Sequence, residues 1–222
     1  MKYRLVIKRF KNGKAWFDTF EVEADPEESV LDVVERVSLK KDRSIVFEHA
    51  CHHGVCGACG MTINGVERLT CVTKIGDVAK GGVVVVEPLR GFKVISDLAV
   101  DKSRMFGKYS YVSPSTLEKL FMNHGAASIE REKLFDCLEC GICYSACPIA
   151  NTFPSYLGPS LLAMVSKSGN ARVPRIVDSR SGVWGCHGAF ECSVRCPADF
   201  KPGELIMRLR RRMLSGEVKV EG

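Results

Sequence analysis

The chain has 222 residues, 45% hydrophobic and 26% charged, with a formal net charge of +6, the profile of a soluble globular protein with room for one large or two small domains. Eleven cysteines, an odd number, stand behind an N-terminus (MKYRLVIKRFK) broken by charge every two or three residues, which argues against a secreted disulfide scaffold and for a reducing compartment. Purely apolar runs such as Val83 to Val86 are far too short for a membrane span, and no aromatic RNA-binding signature or zinc-finger spacing supports a nucleic-acid partner.

The first hundred residues read as β-rich. Residues 3–10 and 15–24 are strand-like runs about Asn12-Gly13, a hairpin turn. Asp25-Pro26-Glu27-Glu28 is expected to start a helix whose apolar face is Val30, Leu31, Val34 and Val37. Residues 48–59 form a glycine- and cysteine-rich loop. Met61 to Leu69 reads as a second hairpin turning at Asn64-Gly65, and Val83 to Glu87 as a buried strand stopped by Pro88. Residues 91–110 are mixed and read as a linker. From Ser113 the apolar period is helical, with helices expected over Pro114–Met122, Ile129–Phe135, Pro159–Ser166 and Pro202–Leu214, three of them opening on proline.

The cysteines fall into two groups with none left over. Cys51-x4-Cys56-x2-Cys59, with Cys71 across the second hairpin, is the spacing of a plant-type 2Fe–2S site. Three thiolates from nine residues must wrap an inorganic core, and Gly54, Gly57 and Gly60 permit the close backbone approach this needs. Structural zinc, the rival, prefers cysteine pairs two to four apart, twice over. With four cysteines available, His52 and His53 are not needed as Rieske-type ligands and read as exposed loop residues. Arg68 reads as an ordinary strand charge that could also lend a positive field.

Cys137-x2-Cys140-x2-Cys143-x3-Cys147-Pro148 is the bacterial ferredoxin run, in which the first three cysteines bind one cluster and the fourth the other. Laid on the later segment, the same template matches Cys186, Cys192, Cys196 and Pro197, with Ala189 at its second position. Cys137, Cys140, Cys143 and Cys196 thus make a four-thiolate set for 4Fe–4S. Cys147, Cys186 and Cys192 leave three thiolates and a methyl group, which suits 3Fe–4S, although an anchored water could support a labile fourth iron. Three oxidised clusters with their thiolates, at about −2 each, would bring roughly −6, so the basic excess balances buried cofactors as readily as it serves any polyanion.

With these motifs the chain resembles the iron–sulfur subunit of succinate dehydrogenase and fumarate reductase, the respiratory complex II family. The resemblance is carried by Cys51-His52-His53-Gly54-Val55-Cys56-Gly57-Ala58-Cys59 with Cys71, and by Glu87-Pro88-Leu89 leading into Val94-Ile95-Ser96-Asp97-Leu98-Ala99-Val100-Asp101. It is carried further by Cys147-Pro148, Cys196-Pro197 and the non-cysteine at Ala189. It implies an α+β chain: a β-grasp plant-type ferredoxin domain over residues 1–104 and an all-α bacterial ferredoxin-like domain over 105–222, holding 2Fe–2S, 4Fe–4S and 3Fe–4S clusters. It also implies electron transfer between the flavin of a separate flavoprotein subunit with covalent FAD and membrane quinone at anchor subunits. The chain would then sit peripherally on the cytoplasmic face of the cell membrane, or on the matrix face if mitochondrial. It carries no flavin-binding glycine fingerprint and is not expected to catalyse alone. In the family, His187 and Pro148 match residues near the quinone, although packing or capping would also explain them. Many succinate-oxidising members place tryptophan after that proline. Here Ile149, Ala150, Asn151, Thr152 and Phe153 stand instead, which leans toward fumarate-reductase-like or divergent members. Arg208, Arg210, Arg211 and Arg212 read as a solvated helix end, with anionic lipid or an anchor subunit as the alternative, and Tyr109, Tyr111 and Phe121 as core or interface. The competing readings are the same wire in another flavoenzyme complex, such as a soluble thiol-linked fumarate reductase, whose members often add a cysteine-rich C-terminal domain, and a zinc-binding interaction protein.

Overall fold

A computed structural model describes residues 1–112 and 137–221. The chain divides into two compact units, Met1–Asp101 and Lys102–Gly222. The helices expected over Pro114–Met122 and Ile129–Phe135, and Phe121 with them, lie outside the described residues.

The first unit is built on a five-stranded sheet. Its strands are β1 (Lys2–Lys11), β2 (Lys14–Glu23), β3 (Gly60–Ile63), β4 (Val66–Leu69) and β5 (Val83–Glu87), in the order β2-β1-β5-β3-β4. β1 and β5 pair in parallel and the other neighbours antiparallel. Both hairpins turn where expected. Asn12 and Gly13 have φ of 51° and 77°, and Asn64 and Gly65 have 48° and 83°, the two positive values that match a two-residue turn to the strand twist. β1 alternates, so Tyr3, Leu5 and Ile7 face inward. Helix α1 (Val30–Lys40) closes the core, burying Val30, Val33, Val34 and Val37 against Leu5, Ile7, Met61, Ile63, Val84 and Val86.

Two expectations for this unit are corrected. The helix begins at Val30, capped by the Ser29 hydroxyl, which accepts the Asp32 N–H at 3.1 Å. Asp25–Glu28 is instead a turn, because the carbonyls of Pro26 and Glu28 accept the N–H groups of Gly76 and Ile75 and so are lost to a helix. The supposed linker is also structured. β6 (Lys93–Ser96) and β7 (Ala99–Asp101) form a hairpin whose turn residue Asp97 is fully buried, with its carboxylate accepting the N–H groups of Phe10 and Val46 at 3.0 and 2.9 Å. Asp97 also pairs at 3.1 Å with Arg9, itself 2% exposed, whose guanidinium reaches Asp18 and Asp42 as well. Burial alone would lower the Arg9 pKa. Its bonds to Asp42 and Asp97 outweigh that and raise it.

The second unit is helical. The short helix α2 (Ile75–Val78) belongs to the first unit, and the described helices of the second are α3 (Ser103–Phe106), α4 (Ile142–Ala146), α5 (Pro148–Thr152), α6 (Pro159–Lys167), α7 (Glu191–Val194) and α8 (Pro202–Leu214). α6 and α8 are the long pair, each opened by the expected proline. They bury Leu161, Leu162 and Val165 on one and Leu205, Ile206 and Leu209 on the other. A short parallel bridge joins β8 (Arg172–Val173) to β9 (Lys219–Val220). No helix among the described residues is long and apolar enough to cross a membrane.

Candidate metal centres

All eleven cysteines are free thiols, and the fold gathers them into three sets. In the first unit the β3–β4 register pairs Gly60 with Leu69. Cys59 immediately precedes that pair and Cys71 follows it, in a 3-10 turn over Thr70–Val72. Thr70 ties the two together, since both its N–H and its hydroxyl donate to the Cys59 carbonyl, at 3.1 and 2.9 Å. Cys59 and Cys71 are buried, Cys51 is half-buried and Cys56 exposed. The N–H of His53 and the Cys56 thiol, with further N–H groups from Val55 and Cys56, pull the Cys51 thiol down to about 6, whereas burial and then the Cys59 thiol push Cys71 up to about 12.

The loop's left-handed residues are His52, Gly54 and Gly57, with φ of 62°, 79° and 72°. Gly60 lies in β3 with no such angle, so the third expected glycine serves strand entry rather than loop curvature. His52 and His53 are exposed. His52 Nε2 sits 2.9 Å from His49 Nδ1, and His52 Nδ1 sits 3.6 Å from Asp32. Arg68 is exposed on β4.

In the second unit the two remaining sets line separate cavities. Cys137, Cys140, Cys143 and Cys196 share one with Ser160, Pro197 and Phe200. Cys147, Cys186 and Cys192 share another with Pro148, Tyr156, His187 and Ala189. The crossing of the two sequence runs has a local cause. Cys143 and Cys147 are four apart and would share a face of a continuous helix. Cys147 instead has extended backbone (φ −80°, ψ 116°), because the residue before a proline is driven out of the helical region. α4 therefore stops, Pro148 starts α5, and the Cys147 side chain leaves for the other set.

The donors fit iron–sulfur groups. Backbone N–H groups point at five of these seven sulfurs: Glu139 to Cys137, Ile142 to Cys140, Ile149 and Ala150 to Cys147, Ser193 to Cys192, and Phe200 to Cys196 at 3.3 Å. Glu139, Gly141, Gly188 and Phe190 take positive φ beside these cysteines, which curls the backbone around them. Burial first, then neighbouring thiols, pushes Cys137 and Cys192 up to about 12 and Cys140 to about 11. Such crowded buried thiols ionise together only around a cationic core.

Sequence reasoning missed Arg210. It is not part of a solvated helix end: its guanidinium donates to the carbonyls of Val183 and Cys186 and lies over the Trp184 ring, 5.5 Å from its centroid. It anchors the loop that presents Cys186 from 24 residues away, a separation no local pattern signals. Arg212 donates to the Gly169 carbonyl at 3.3 Å, and Arg211 is exposed. Pro148 and His187 are exposed. Tyr109 is half-buried, donating to Ser160 at 3.4 Å, and Tyr111 is exposed.

Residues 4–107 match the model of the 2Fe–2S iron–sulfur cluster binding domain, and residues 133–200 that of the 4Fe–4S dicluster domain. The fumarate reductase iron–sulfur subunit of Mycobacterium tuberculosis (strain CDC 1551 / Oshkosh) is 34% identical over 209 residues, covering 87% of this chain and 84% of that protein. The succinate dehydrogenase iron–sulfur subunit of Coxiella burnetii (strain RSA 493 / Nine Mile phase I) is 30% identical over 227 residues, covering 94% and 95%. Among solved structures, a chain of the Mycobacterium smegmatis Sdh1 complex in the apo form shares the fold, with a TM-score of 0.79 and 23% identity over 95% of each chain. The expected β-rich and helical halves, the cluster-binding domains and these relatives agree: the chain belongs to the family of iron–sulfur electron-relay subunits of succinate dehydrogenase and fumarate reductase.

Proposed function

We propose that this chain relays electrons between the flavin of a partner flavoprotein and membrane quinone, through 2Fe–2S held by Cys51, Cys56, Cys59 and Cys71, 4Fe–4S held by Cys137, Cys140, Cys143 and Cys196, and 3Fe–4S held by Cys147, Cys186 and Cys192. The observation that carries the reading is the sorting of seven interleaved cysteines into a four-thiol and a three-thiol cavity, with Ala189 lining the second. Bound clusters supply one-electron chemistry at potentials set by ligand number, hydrogen bonds to sulfur and exposure. The chain's own part is to hold and tune them. Its N–H groups stabilise negative charge on sulfur, and the buried walls around Cys140, Cys143 and Cys192 exclude water.

Phe190, 38% exposed, lines the three-thiol cavity together with Pro148 and His187. Exposed apolar surface of this kind at the cavity suits contact with a membrane-anchor subunit and an apolar quinone, and would set the chain peripherally on the membrane. His187 would hold or relay a proton at the quinone, and Pro148 would shape the adjoining wall.

Iron and acid-labile sulfide analysis of anaerobically purified protein, with EPR of oxidised and reduced samples, tests the reading. Three clusters predict about nine irons and ten sulfides and a paramagnetic signal from an oxidised three-iron centre. About ten irons without that signal would replace 3Fe–4S by a second 4Fe–4S. Zinc without sulfide would end the relay reading.

A further inference from the structure

Tyr156 is fully buried in the second unit, and its hydroxyl, beside the Cys186 thiol, makes no hydrogen bond of ordinary geometry. A buried hydroxyl left without a good partner is costly, so its surroundings point to what satisfies it. The side chain lines the cavity of Cys147, Cys186 and Cys192. Its position is held from several sides. The Lys108 ammonium donates to the Tyr156 carbonyl and to the Tyr144 hydroxyl, and the N–H groups of Tyr156 and Leu157 donate to Phe153 and Ser181. Gly185 lies against the ring so closely that an added Cβ would stand 3.1 Å from Tyr156 Cδ2. The ring is therefore wedged beside the residue that precedes Cys186, and a neutral phenol is a hydrogen-bond donor.

We infer that Tyr156 donates its O–H to the sulfur of the group held by Cys147, Cys186 and Cys192, either a ligating thiolate or an inorganic sulfide, and so raises that centre's reduction potential. The inference rests on the ligand assignment proposed above. Its direction follows from charge. Reduction adds an electron to the sulfur-rich group, and a donor at sulfur stabilises the more negative state more strongly. Tyr156 is thus a side-chain donor that tunes the centre, distinct from the backbone N–H groups that reach Cys147 and Cys192.

The test compares wild-type protein with Tyr156→Phe in the assembled complex, by potentiometric EPR and by proton hyperfine spectroscopy in H2O and D2O. Tyr156→Phe keeps the ring against Gly185 and removes only the donor. The expected result is a reduced-to-oxidised ratio of the three-thiol centre about tenfold lower at a fixed potential, a downward shift of about 59 mV for a one-electron couple. An exchangeable proton coupled to this centre in wild type should vanish in the variant. Tyr109→Phe, which removes the hydroxyl bonded to Ser160, should leave the three-thiol centre's midpoint in place. An unchanged midpoint with the proton coupling retained would overturn the inference. If Tyr156→Phe loses the centre, the wild-type spectra still decide: no exchangeable proton coupled to it overturns the inference. If wild type carries a four-iron centre at this site, the ligand assignment fails while the same midpoint comparison still judges Tyr156.

Discussion

The two units hold thiols in opposite ways. In the first, three of four cysteines come from one short glycine-rich loop on the outside of a sheet that has its own core, built from Leu5, Ile7, Val34, Met61 and Val86. In the second, cysteines from distant segments meet inside the helical unit, and Cys137 and Cys196 themselves pack against its small cluster of Ala163, Phe200 and Leu205. A surface loop can wait for its metal on a finished scaffold. A buried thiol set is part of the scaffold, and binding there is also folding energy.

Removing iron should break this comparison most visibly. After anaerobic chelation, hydrogen exchange should retain protection in β1, β3 and β5 and lose it across α6 and α8. Cys143→Ala should behave the same way, whereas Cys56→Ala should lose only the first centre's iron and leave both units folded. Equal loss of protection in the two units would show that the sheet, too, depends on its metal.

The next effect belongs to the first unit alone. Arg9→Ala strands the fully buried Asp97 without its cation and should cost about 3–5 kcal/mol, read as a lower denaturant midpoint for the sheet with the second unit's iron content unchanged. A smaller loss is expected from Arg210→Ala, about 1–3 kcal/mol for the hydrogen bonds to Val183 and Cys186. It should speed iron release from the three-thiol site and leave the 2Fe–2S optical spectrum unaltered.

The smallest effect is one of pH. Hydrogen bonds from Ser44 and then Arg9 lower the Asp42 pKa from 3.8 to about 2. A depressed carboxylate contributes stability that is fully present above its unfolded pKa and lost as pH falls through the folded one. The sheet's thermal midpoint should therefore drop between about pH 4 and pH 2, and Asp42→Asn should flatten that slope.

Much of this was legible locally. Asn12-Gly13 and Asn64-Gly65 mark their hairpins because few residues tolerate two successive positive φ values. Pro159 and Pro202 mark helix starts because a missing N–H costs nothing there. The acidic turn at residues 25–28 misled, because the helix pattern could not reveal that Ile75 and Gly76 claim its carbonyls. The residues taken as a linker misled because Asp97 looks like any loop aspartate until its partners Arg9, Phe10 and Val46 are in place.

The sequence by itself determined the cysteine spacing, the proline that turns Cys147 away from Cys143, and the alanine that stands where a further thiolate would be. These act through backbone sterics and ligand number within a few residues. Only the tertiary structure decided the partners of three polar side chains: Arg210 on the Cys186 loop, Tyr156 against the three-thiol cavity, Arg9 with Asp97 of the β6–β7 hairpin. Each joins segments tens of residues apart, and a polar group's partner across that distance is chosen by packing, which no local pattern encodes.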